Sequence, residues 1–483
     1  MSLAVIMGML GGCAVGPNFV RPSAPDADRY TREPQPDVTV AADGHAQRFT
    51  SGAAITADWW RLFESSQLDA VVRQAIANNP TLQASEASLR QSQDNMRAGY
   101  GVFFPQIQAG LSGSRQRNAP LQQGSQSVGT IFNLVTASGT ISYALDVFGG
   151  ERRTVESLRA QADYQRYESK AAYLALSANV VNTSIARAAY AAEIRATEQL
   201  IELENQQLQL TETQVRAGTA PYANVLSVRS LIAANKALLA PLKQNVSQTE
   251  HLLATLEGVV PSKSSLPDID LTSLSLPADL PVSLPSDLVN QRPDVLSAEA
   301  QMHVASAKIG VATANMFPSF SLSGTYGVAG SGSGNFSWLS GKFWSFGPTA
   351  TIPLFQGTSL WYGRRAAIDV YQGSQAIYRQ TVLGAFEQVA DALKALEHDA
   401  EALEAQVESK RAAGDALSLL QANYRAGLVA YLDVLTADVQ FHVATIAYLQ
   451  AVAQRHQDTV ALFVALGGGW WNEQRPAGKG EVP

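Results

Sequence analysis

The sequence predicts an α+β membrane protein in which long antiparallel α-helical coiled coils continue into a transmembrane β-barrel. Three features of the 483-residue chain predict this class: two exceptionally long helical segments, four nearly uncharged segments of alternating hydrophobicity, and an internal repeat that gives both halves the same plan. Charged residues make up only 16% of the chain, well below the roughly 25% of a soluble domain. No uninterrupted run of about 18 or more apolar residues is present, so we expect no membrane-spanning helix.

The composition excludes several other classes of protein. Lys and Arg number 35 against 42 Asp and Glu, a formal charge of −7, so no nucleic-acid partner is expected, because binding to phosphates needs a basic surface. The single cysteine excludes a disulfide framework and a thiolate zinc cluster within one chain. The six histidines show no metal-ligand spacing, and no nucleotide-binding glycine loop is present. We therefore predict that the chain is not an enzyme and holds no metal.

The amino terminus has the features of a secreted lipoprotein. Residues 1–12 form a short apolar segment that indicates a signal peptide. Gly11 and Gly12 precede the only cysteine, Cys13, in a pattern that resembles a bacterial lipobox, where the thiol is acylated. We predict that Cys13 is a lipid anchor and that no other cofactor is attached; a buried free cysteine is the alternative. Residues 13–57, rich in Pro, Asp and Ala, are predicted to form an extended tether that lies over the surface or stays mobile.

An internal repeat organises the remainder of the chain. Pro80 begins a helical segment that runs to Pro105, and Pro293 begins one that runs to Pro318, both at a spacing of 25 residues. An Arg-Ala-Gly sequence ending at Gly218 recurs 209 residues later and ends at Gly427. Such recurrence indicates copies of one structural unit. We predict a first repeat at 58–260, a linker at 261–290, a second repeat at 291–466 and a C-terminal tail at 467–483.

Each repeat contains one very long helix and two shorter ones. Residues 151–216 and 358–425 are predicted helices of about 66–68 residues, near 100 Å long at about 1.5 Å per residue. Gly218 and Gly427 follow them, where a helix C-cap needs a left-handed residue, and a helix of about 36 residues comes next. We expect the two shorter helices to lie end to end beside the long one, with Leu200, Leu203 and Leu210 packing between them. A coiled-coil scaffold would explain these helices but not the strands.

Two predicted strands in each repeat have one apolar face and one face of small polar residues. The alternation is clearest at 319–328 and 344–354, and it recurs at 106–112 and 140–145. Strands of about ten residues with almost no charge match a tilted bilayer crossing. Four strands cannot close a barrel, and lipid does not tolerate open edges. We therefore expect an oligomer, in which two copies give eight strands and three copies give twelve, with an open lumen. A soluble sheet covered by a helix is the alternative.

The chain resembles the outer-membrane efflux protein family, in its lipid-anchored multidrug branch. The resemblance rests on the sequence from Cys13 to Phe19, on Trp59-Trp60 with Phe63, on 68–79 before Pro80, on the doubled Arg-Ala-Gly turns and on 431–435. It implies a homotrimer with a twelve-stranded barrel in the outer membrane of a Gram-negative bacterium and a helical tunnel across the periplasm. It further implies an exit duct of a tripartite efflux pump that docks to a periplasmic adaptor protein and an inner-membrane transporter. The exit duct of a type I protein-secretion system and a periplasmic coiled-coil adaptor or scaffold remain as alternatives.

The resemblance also implies a periplasmic gate at the Arg-Ala-Gly turns. The acidic position that helps form the constriction in the family corresponds to Asp433, and Tyr424, Arg425 and Arg216 correspond to the side chains that hold it shut. The first repeat has Asn224 at the acidic position, so a ring of carboxylates would hold three charges per trimer rather than six. The alternative is that both arginines only complement the dipoles of their helix ends.

Overall fold

A computed structural model describes residues 14–53, 55–117, 131–331 and 341–472. The predicted signal peptide, Cys13 and most of the predicted C-terminal tail lie outside the described residues. The helices and strands, in chain order, are β1 (Arg48–Ser51), α1 (Ser66–Asn78), α2 (Pro80–Gly99), β2 (Gln106–Arg117), β3 (Ile131–Leu145), α3 (Gly150–Arg216), α4 (Tyr222–Leu256), β4 (Asp279–Val282), α5 (Pro285–Gln291), α6 (Pro293–Ala314), β5 (Ser319–Ser331), β6 (Lys342–Thr351), α7 (Ser359–Arg425) and α8 (Tyr431–Ala465).

The chain forms two compact units, and each unit draws on both halves of the sequence. The first unit contains residues up to Pro22 together with Ser88–Arg166 and Ser297–Arg379. The second contains Ser23–Ala87, Tyr167–Leu296 and the residues from Gln380 onward. The division of the chain into repeats at 58–260 and 291–466 stays a prediction.

The first unit contains a four-stranded antiparallel sheet in the order β2-β3-β5-β6. Gln106 pairs with Ser142, Leu145 with Phe320, and Ser319 with Thr351, so consecutive strands align over most of their lengths. Several strand bounds differ from the expectation, and two of the differences are the most informative. β3 is 15 residues long and begins at Ile131, well before the predicted segment, and β6 ends at Thr351 rather than at Leu354. Pro353, which has no N–H to donate to a neighbouring strand, follows β6 closely.

Large apolar side chains of this sheet are exposed. Ile107 on β2 is 77% exposed and Trp344 on β6 is 76% exposed. Among the residues that the structure describes, no helix covers these side chains, which speaks against the alternative of a soluble sheet with a covered face. The order of the strands leaves β2 and β6 as the two edges of the sheet.

The helices agree closely with their predicted bounds. α3 and α7 each have 67 residues, and α4 and α8 each have 35. The first short helix is shorter than predicted: α2 ends at Gly99, and a 3-10 turn at Tyr100–Phe103 replaces its last turn.

The shorter helices of each half meet end to end in the same way. The Asn79 side-chain amide donates a hydrogen bond of 2.9 Å to the carbonyl of Leu256, the last residue of α4. In the second half, the Arg292 guanidinium donates a hydrogen bond of 2.7 Å to the carbonyl of Ala465, the last residue of α8. Asn79 and Arg292 each directly precede the proline that begins α2 or α6. Both donors satisfy a helix-end carbonyl that has no partner in its own helix.

One described helix, α4, is long and apolar enough to cross a membrane by length and composition alone. The expectation concerned a helix that actually crosses a bilayer, which length and composition do not show, so it stays a prediction. It counted uninterrupted apolar residues, whereas α4 reaches its hydropathy as an average over a window that includes polar residues. Ion pairs join α4 to the neighbouring α3, with Arg229 at 2.8 Å from Glu212 and Lys243 at 3.0 Å from Glu198. These contacts favour a helix packed along α3.

The predicted tether is bound to the second unit through a buried arginine. Arg455 on α8 is only 1% exposed. Its guanidinium donates hydrogen bonds of 3.0 Å to Gln47 Oε1 and 3.2 Å to Thr39 Oγ1. Next to these residues, β1 pairs in parallel with β4. Where the structure describes it, this part of the tether lies over the surface, one of the two predicted arrangements.

The core of the second unit lies beside this tether. Trp59, Trp60 and Phe63 are buried, and the ring of Trp59 stacks on Phe463 of α8 with centroids 5.5 Å apart. The aromatic residues that carry part of the family resemblance are therefore core residues.

Candidate functional site

Two helix turns of the second unit, one after α3 and one after α7, carry the predicted gate residues. Gly218 and Gly427 have φ angles of +72° and +74°, a conformation that glycine adopts without strain. The N–H of Thr219 donates to the carbonyl of Gln214, and the N–H of Leu428 donates to the carbonyl of Asn423, each at 2.9 Å. These bonds, which span five residues, are those of a Schellman motif. Both long helices therefore end in the same tight turn.

Asp433 caps the helix that follows the second turn. Its carboxylate accepts a hydrogen bond of 3.0 Å from the N–H of Ala430, and its own N–H donates to the carbonyl of Ala430 at 3.1 Å. In the first turn, the position equivalent to Ala430 is Pro221, which has no N–H to be capped. An acidic residue therefore has no capping role there, which explains in local terms why Asn224 can stand in its place. Asn224 is half-buried in the first turn of α4.

Tyr424 is the predicted gate residue that links the two halves of the chain. Its hydroxyl donates a hydrogen bond of 2.9 Å to Gln214 Oε1 and so joins the end of α7 to the end of α3. Its ring also contacts Tyr431 at the start of α8, with centroids 5.3 Å apart. Tyr431 belongs to a small apolar cluster that includes Ile201, Val228 and Val434, and Tyr424 packs against this cluster.

The two predicted arginines lie on the surface of the turns. Arg216 and Arg425 are the last residues of α3 and α7, and both are exposed. Arg216 donates a hydrogen bond of 3.1 Å to Thr213 Oγ1 of its own helix. Within the described part of the chain, no hydrogen bond or ion pair joins Asp433 to Tyr424 or to either arginine. Pairing across the subunits of an oligomer stays a prediction.

The sequence analysis missed two acidic residues close to Tyr424 and Tyr431. Glu204 on α3 is 4% exposed, and its Oε1 accepts a hydrogen bond of 2.6 Å from the Asn235 amide on α4. Burial is the main cause that raises the pKa of Glu204 to about 7, and the negative charge of Asp438 on α8 is the second. Burial also raises the pKa of Asp438 to about 6. Carboxyls with such perturbed pKa values are candidates for functional groups.

The helical spacing could have indicated that Glu204 is buried. Ile201, Glu204, Leu208 and Thr211 recur every three or four residues on one stripe of α3, the spacing of a buried helix face. Leu203 and Leu210, predicted to pack between helices, lie off this stripe, and each is 60% exposed in the protomer. That part of the prediction is wrong for the single chain.

Long paired helices that end in capped turns, together with a sheet whose edges and apolar side chains are exposed, define a subunit of a membrane channel. The chain belongs to the outer membrane efflux protein family, whose model matches residues 71–259 and 284–468. Over 481 residues it is 29% identical to the probable efflux pump outer membrane protein TtgC of Pseudomonas putida, covering 98% of this chain and 96% of that protein. It is likewise 29% identical over 481 residues to the outer membrane protein OprJ of Pseudomonas aeruginosa, covering 97% of this chain and 96% of OprJ.

Solved structures of outer-membrane channels have the same fold. The outer-membrane channel OprN matches with a TM-score of 0.85 at 25% identity, over 95% of this chain and 100% of that one. The open state of the MtrE outer membrane channel of Neisseria gonorrhoeae matches with a TM-score of 0.82 at 25% identity, over 96% of this chain and 100% of that one. Channels of this kind are trimers in which a helical barrel joins a β-barrel. The predicted fold class, the family and the location in the outer membrane are confirmed.

Proposed function

We propose that the chain is the outer-membrane exit duct of a tripartite efflux pump. As a homotrimer, it passively conducts small toxic compounds to the exterior after receiving them from a periplasmic adaptor protein and an inner-membrane transporter. We assign no catalytic step to it, and we assign the supply of energy to the transporter.

The sheet of the first unit is the observation that carries this proposal. It has four strands, two open edges at β2 and β6, and apolar side chains exposed on the outermost strands. In lipid, unpaired edge N–H and C=O groups must find partners. Pairing β6 of one copy with β2 of the next satisfies both edges, and three copies give twelve strands. An eight-stranded barrel has an interior just wide enough for side chains, so twelve strands favour an open duct.

The named relatives support small molecules as cargo. Their names refer to toluene efflux, antibiotic efflux, pyoverdine export and cation efflux, all in proteins that match most of this chain. Because one architecture serves such different compounds, we assign the choice of cargo to the transporter. These relatives favour small-molecule efflux over protein secretion, the second candidate.

A lipid on Cys13 fits the position of the residues that follow it. The Val15 N–H donates a hydrogen bond of 3.0 Å to the carbonyl of Phe148, three residues beyond the end of β3. Arg153 donates hydrogen bonds to the Val15 and Gly16 carbonyls at 3.2 and 3.4 Å. The described chain is therefore held beside the end of β3 at Val15, two positions after Cys13 in the sequence.

The turns after α3 and α7 form the periplasmic gate in this proposal. Three Asp433 carboxylates around the trimer axis repel one another and attract cations. The Tyr424–Gln214 hydrogen bond ties α7 to α3, and such a bond contributes about 0.5–1.5 kcal/mol. Losing three of them per trimer shifts the balance from closed toward open. Arg425 would support the closed state by pairing with a neighbouring subunit.

Single-channel recording in planar bilayers tests this function. We expect Tyr424→Phe combined with Arg425→Ser to raise the conductance, and Asp433→Asn to lower cation selectivity. Asp433→Asn removes the charge while keeping an oxygen that accepts the Ala430 N–H. Tyr222→Phe, at an exposed tyrosine of the first turn, is the matched control and should leave the conductance unchanged.

Two results would contradict the proposal. If neither the wild-type trimer nor the gate variants give channels, the duct is wrong. A protein that leaves the cells as a soluble monomer without detergent would instead support a periplasmic scaffold. If channels form but the Tyr424, Arg425 and Asp433 variants conduct like the wild type, the constriction lies elsewhere.

A further inference from the structure

A cleft beside the two turns has the composition of a ligand site. It lies within the second unit, has a volume of about 640 Å³, and is formed by residues of α3, α7 and α8. This volume is within the range of roughly 300–1,000 Å³ that small-molecule sites occupy. Its polar lining includes Glu204, Gln207, Gln214, Tyr424, Tyr431 and Asp438.

Glu204, which lines this cleft, has one carboxylate oxygen without a hydrogen-bond partner among the described residues. Asn235 satisfies Oε1, but Oε2 is buried and has no hydrogen-bond partner among the described residues. The hydroxyl of Tyr431, which is 5% exposed, is likewise buried without a hydrogen bond of good geometry, although Thr211 and Gln207 are near enough to influence it. Buried polar groups are nearly always paired, so each unpaired one requires an explanation. A positively charged group bound beside Glu204 would offset the carboxylate charge that no hydrogen-bond donor satisfies.

The charge of the lining favours a cation. Glu204 and Asp438 supply two carboxyls, and α4 contributes the neutral Asn235 next to Glu204. The single cationic side chain among the described lining residues is Arg425, which is exposed. Two ionised carboxyls within one cleft, with no buried cation to offset them, attract a positively charged ligand.

The walls of the cleft favour an organic cation over a metal ion. Leu203, Leu210 and Leu435 line it together with the two tyrosine rings, and aromatic faces attract ammonium groups. Among the described residues, no group of three or more His, Cys, Asp or Glu side chains is placed to hold a metal. Ca²⁺ and Mg²⁺ take about six or more oxygen ligands, which two carboxyls do not provide.

We propose that this cleft binds an amphipathic organic cation, with its ammonium group beside the Glu204 and Asp438 carboxyls and its apolar part against Tyr431. The site lies within a single protomer. It requires neither the gate nor the cargo that we assign to the duct, so failure of either leaves the other open to its own test.

The two carboxyls make binding depend on pH. A permanently charged cation gains from Glu204 and Asp438 only when they are ionised. With pKa values of about 7 and about 6, both are protonated at pH 5 and ionised at pH 8. Burial raises the pKa of Tyr431, so its hydroxyl stays neutral in this range. Burial also lowers the pKa of His442, one turn from Asp438 on α8, and loss of its proton at higher pH favours a cation in the same direction. Tyr424 and Arg425 are the other titratable or charged groups of the lining. Affinity should therefore rise with pH.

Calorimetric titration of the detergent-solubilised full-length trimer with benzyltrimethylammonium tests the proposal. This probe carries a fixed charge and an aromatic ring, and benzyl alcohol is its uncharged counterpart. We expect saturable binding at pH 8, at least tenfold weaker binding at pH 5, and no comparable binding of benzyl alcohol. Glu204→Gln combined with Asp438→Asn should weaken binding at pH 8 at least tenfold. Glu202→Gln, which changes an exposed carboxylate on the same helix, is the matched control and should bind like the wild type.

Several outcomes would overturn the proposal. These are the absence of saturable binding at pH 8, equal affinity at pH 5 and pH 8, and unchanged affinity in the double variant. If MgCl₂ binds with the same dependence on Glu204 and Asp438 and benzyltrimethylammonium does not, the assignment of an organic ligand is wrong. The comparison of the wild type at two pH values needs no substitution, so it decides the matter even if the double variant does not fold.

Discussion

The buried carboxyl of Glu204 makes the stability of the helix tips depend on pH. Its pKa of about 7 in the folded chain compares with 4.5 for an unperturbed glutamate, and burial is the main cause. Between these values the folded chain holds a proton that the unfolded chain has released. The stability that this proton provides is therefore complete below pH 4.5 and is lost as the pH rises through about 7. The rise in pKa from 4.5 to about 7 corresponds to an upper bound of roughly 3–4 kcal/mol per protomer.

Glu204→Gln should remove this dependence. The glutamine oxygen can still accept the hydrogen bond from Asn235, whereas no charge forms at high pH. We expect the variant to melt a few degrees above the wild type at pH 8 and at nearly the same temperature at pH 4.5. Circular dichroism melting curves between pH 4.5 and pH 8 measure this difference. Glu202→Gln changes the charge equally at an exposed position and should leave the curves unchanged.

One result would refute the reasoning about Glu204. If the wild type and Glu204→Gln lose stability equally between pH 4.5 and pH 8, Glu204 is not buried without a counter-charge. The cause would then be a cation beside Glu204 in the assembled protein, or burial of a different carboxyl.

Arg455, Asp433 and Cys13 each give a separate test. Arg455→Met leaves the acceptors on the tether without their donor, at a cost of about 2–4 kcal/mol. Limited trypsin digestion should therefore cut the tether sooner than in the control Arg411→Met, at an exposed position on α7; equal rates would contradict the buried anchor. Asp433→Ala removes a helix cap of about 1 kcal/mol and should lower the melting temperature slightly, whereas Asp433→Asn keeps the capping oxygen and should not. If both variants lower the melting temperature equally, the charge of Asp433 matters and the cap does not. Cys13→Ala should reduce retention in the outer membrane fraction but leave a trimer on native gels, whereas a monomer without strand signal would make the anchor structural.

The long helices could be predicted because their ends carry strong local signals. A proline at the first helical position fixes the start of α2 and α6, and a glycine that tolerates positive φ ends α3 and α7 at the predicted residues. The sheet was predictable where apolar and polar residues alternate strictly. The start of β3 was missed because Leu134 and Val135 are adjacent apolar residues that break this alternation.

The site could be predicted only in part, because packing between helices is not a local property. The resemblance located the turns, but the sequence did not distinguish the exposed Leu203 from the buried Glu204 next to it. Which of them faces a neighbouring helix depends on the rotation of α3 against α4 and α8. Asp433 caps the N–H of Ala430, whereas the corresponding residue of the first copy, Pro221, has no N–H to be capped. This difference between the two turns was readable in the sequence.

Disulfide cross-linking between the two edge strands tests the central claim most directly. The only natural cysteine is Cys13, so a Cys13→Ala background has no competing thiol. In that background, Ser112 on β2 is replaced by cysteine, and a second cysteine replaces Ser345, Gly347 or Thr349 on β6 in three separate variants. Three positions are tested because a disulfide forms only when the two Cβ atoms come within about 4 Å. If β6 of one copy pairs with β2 of the next in a closed ring of three, oxidation of membranes should give a covalent trimer at one of these positions and no larger product. A protein that stays monomeric at every position, or a ladder that continues beyond the trimer, would contradict the twelve-stranded barrel.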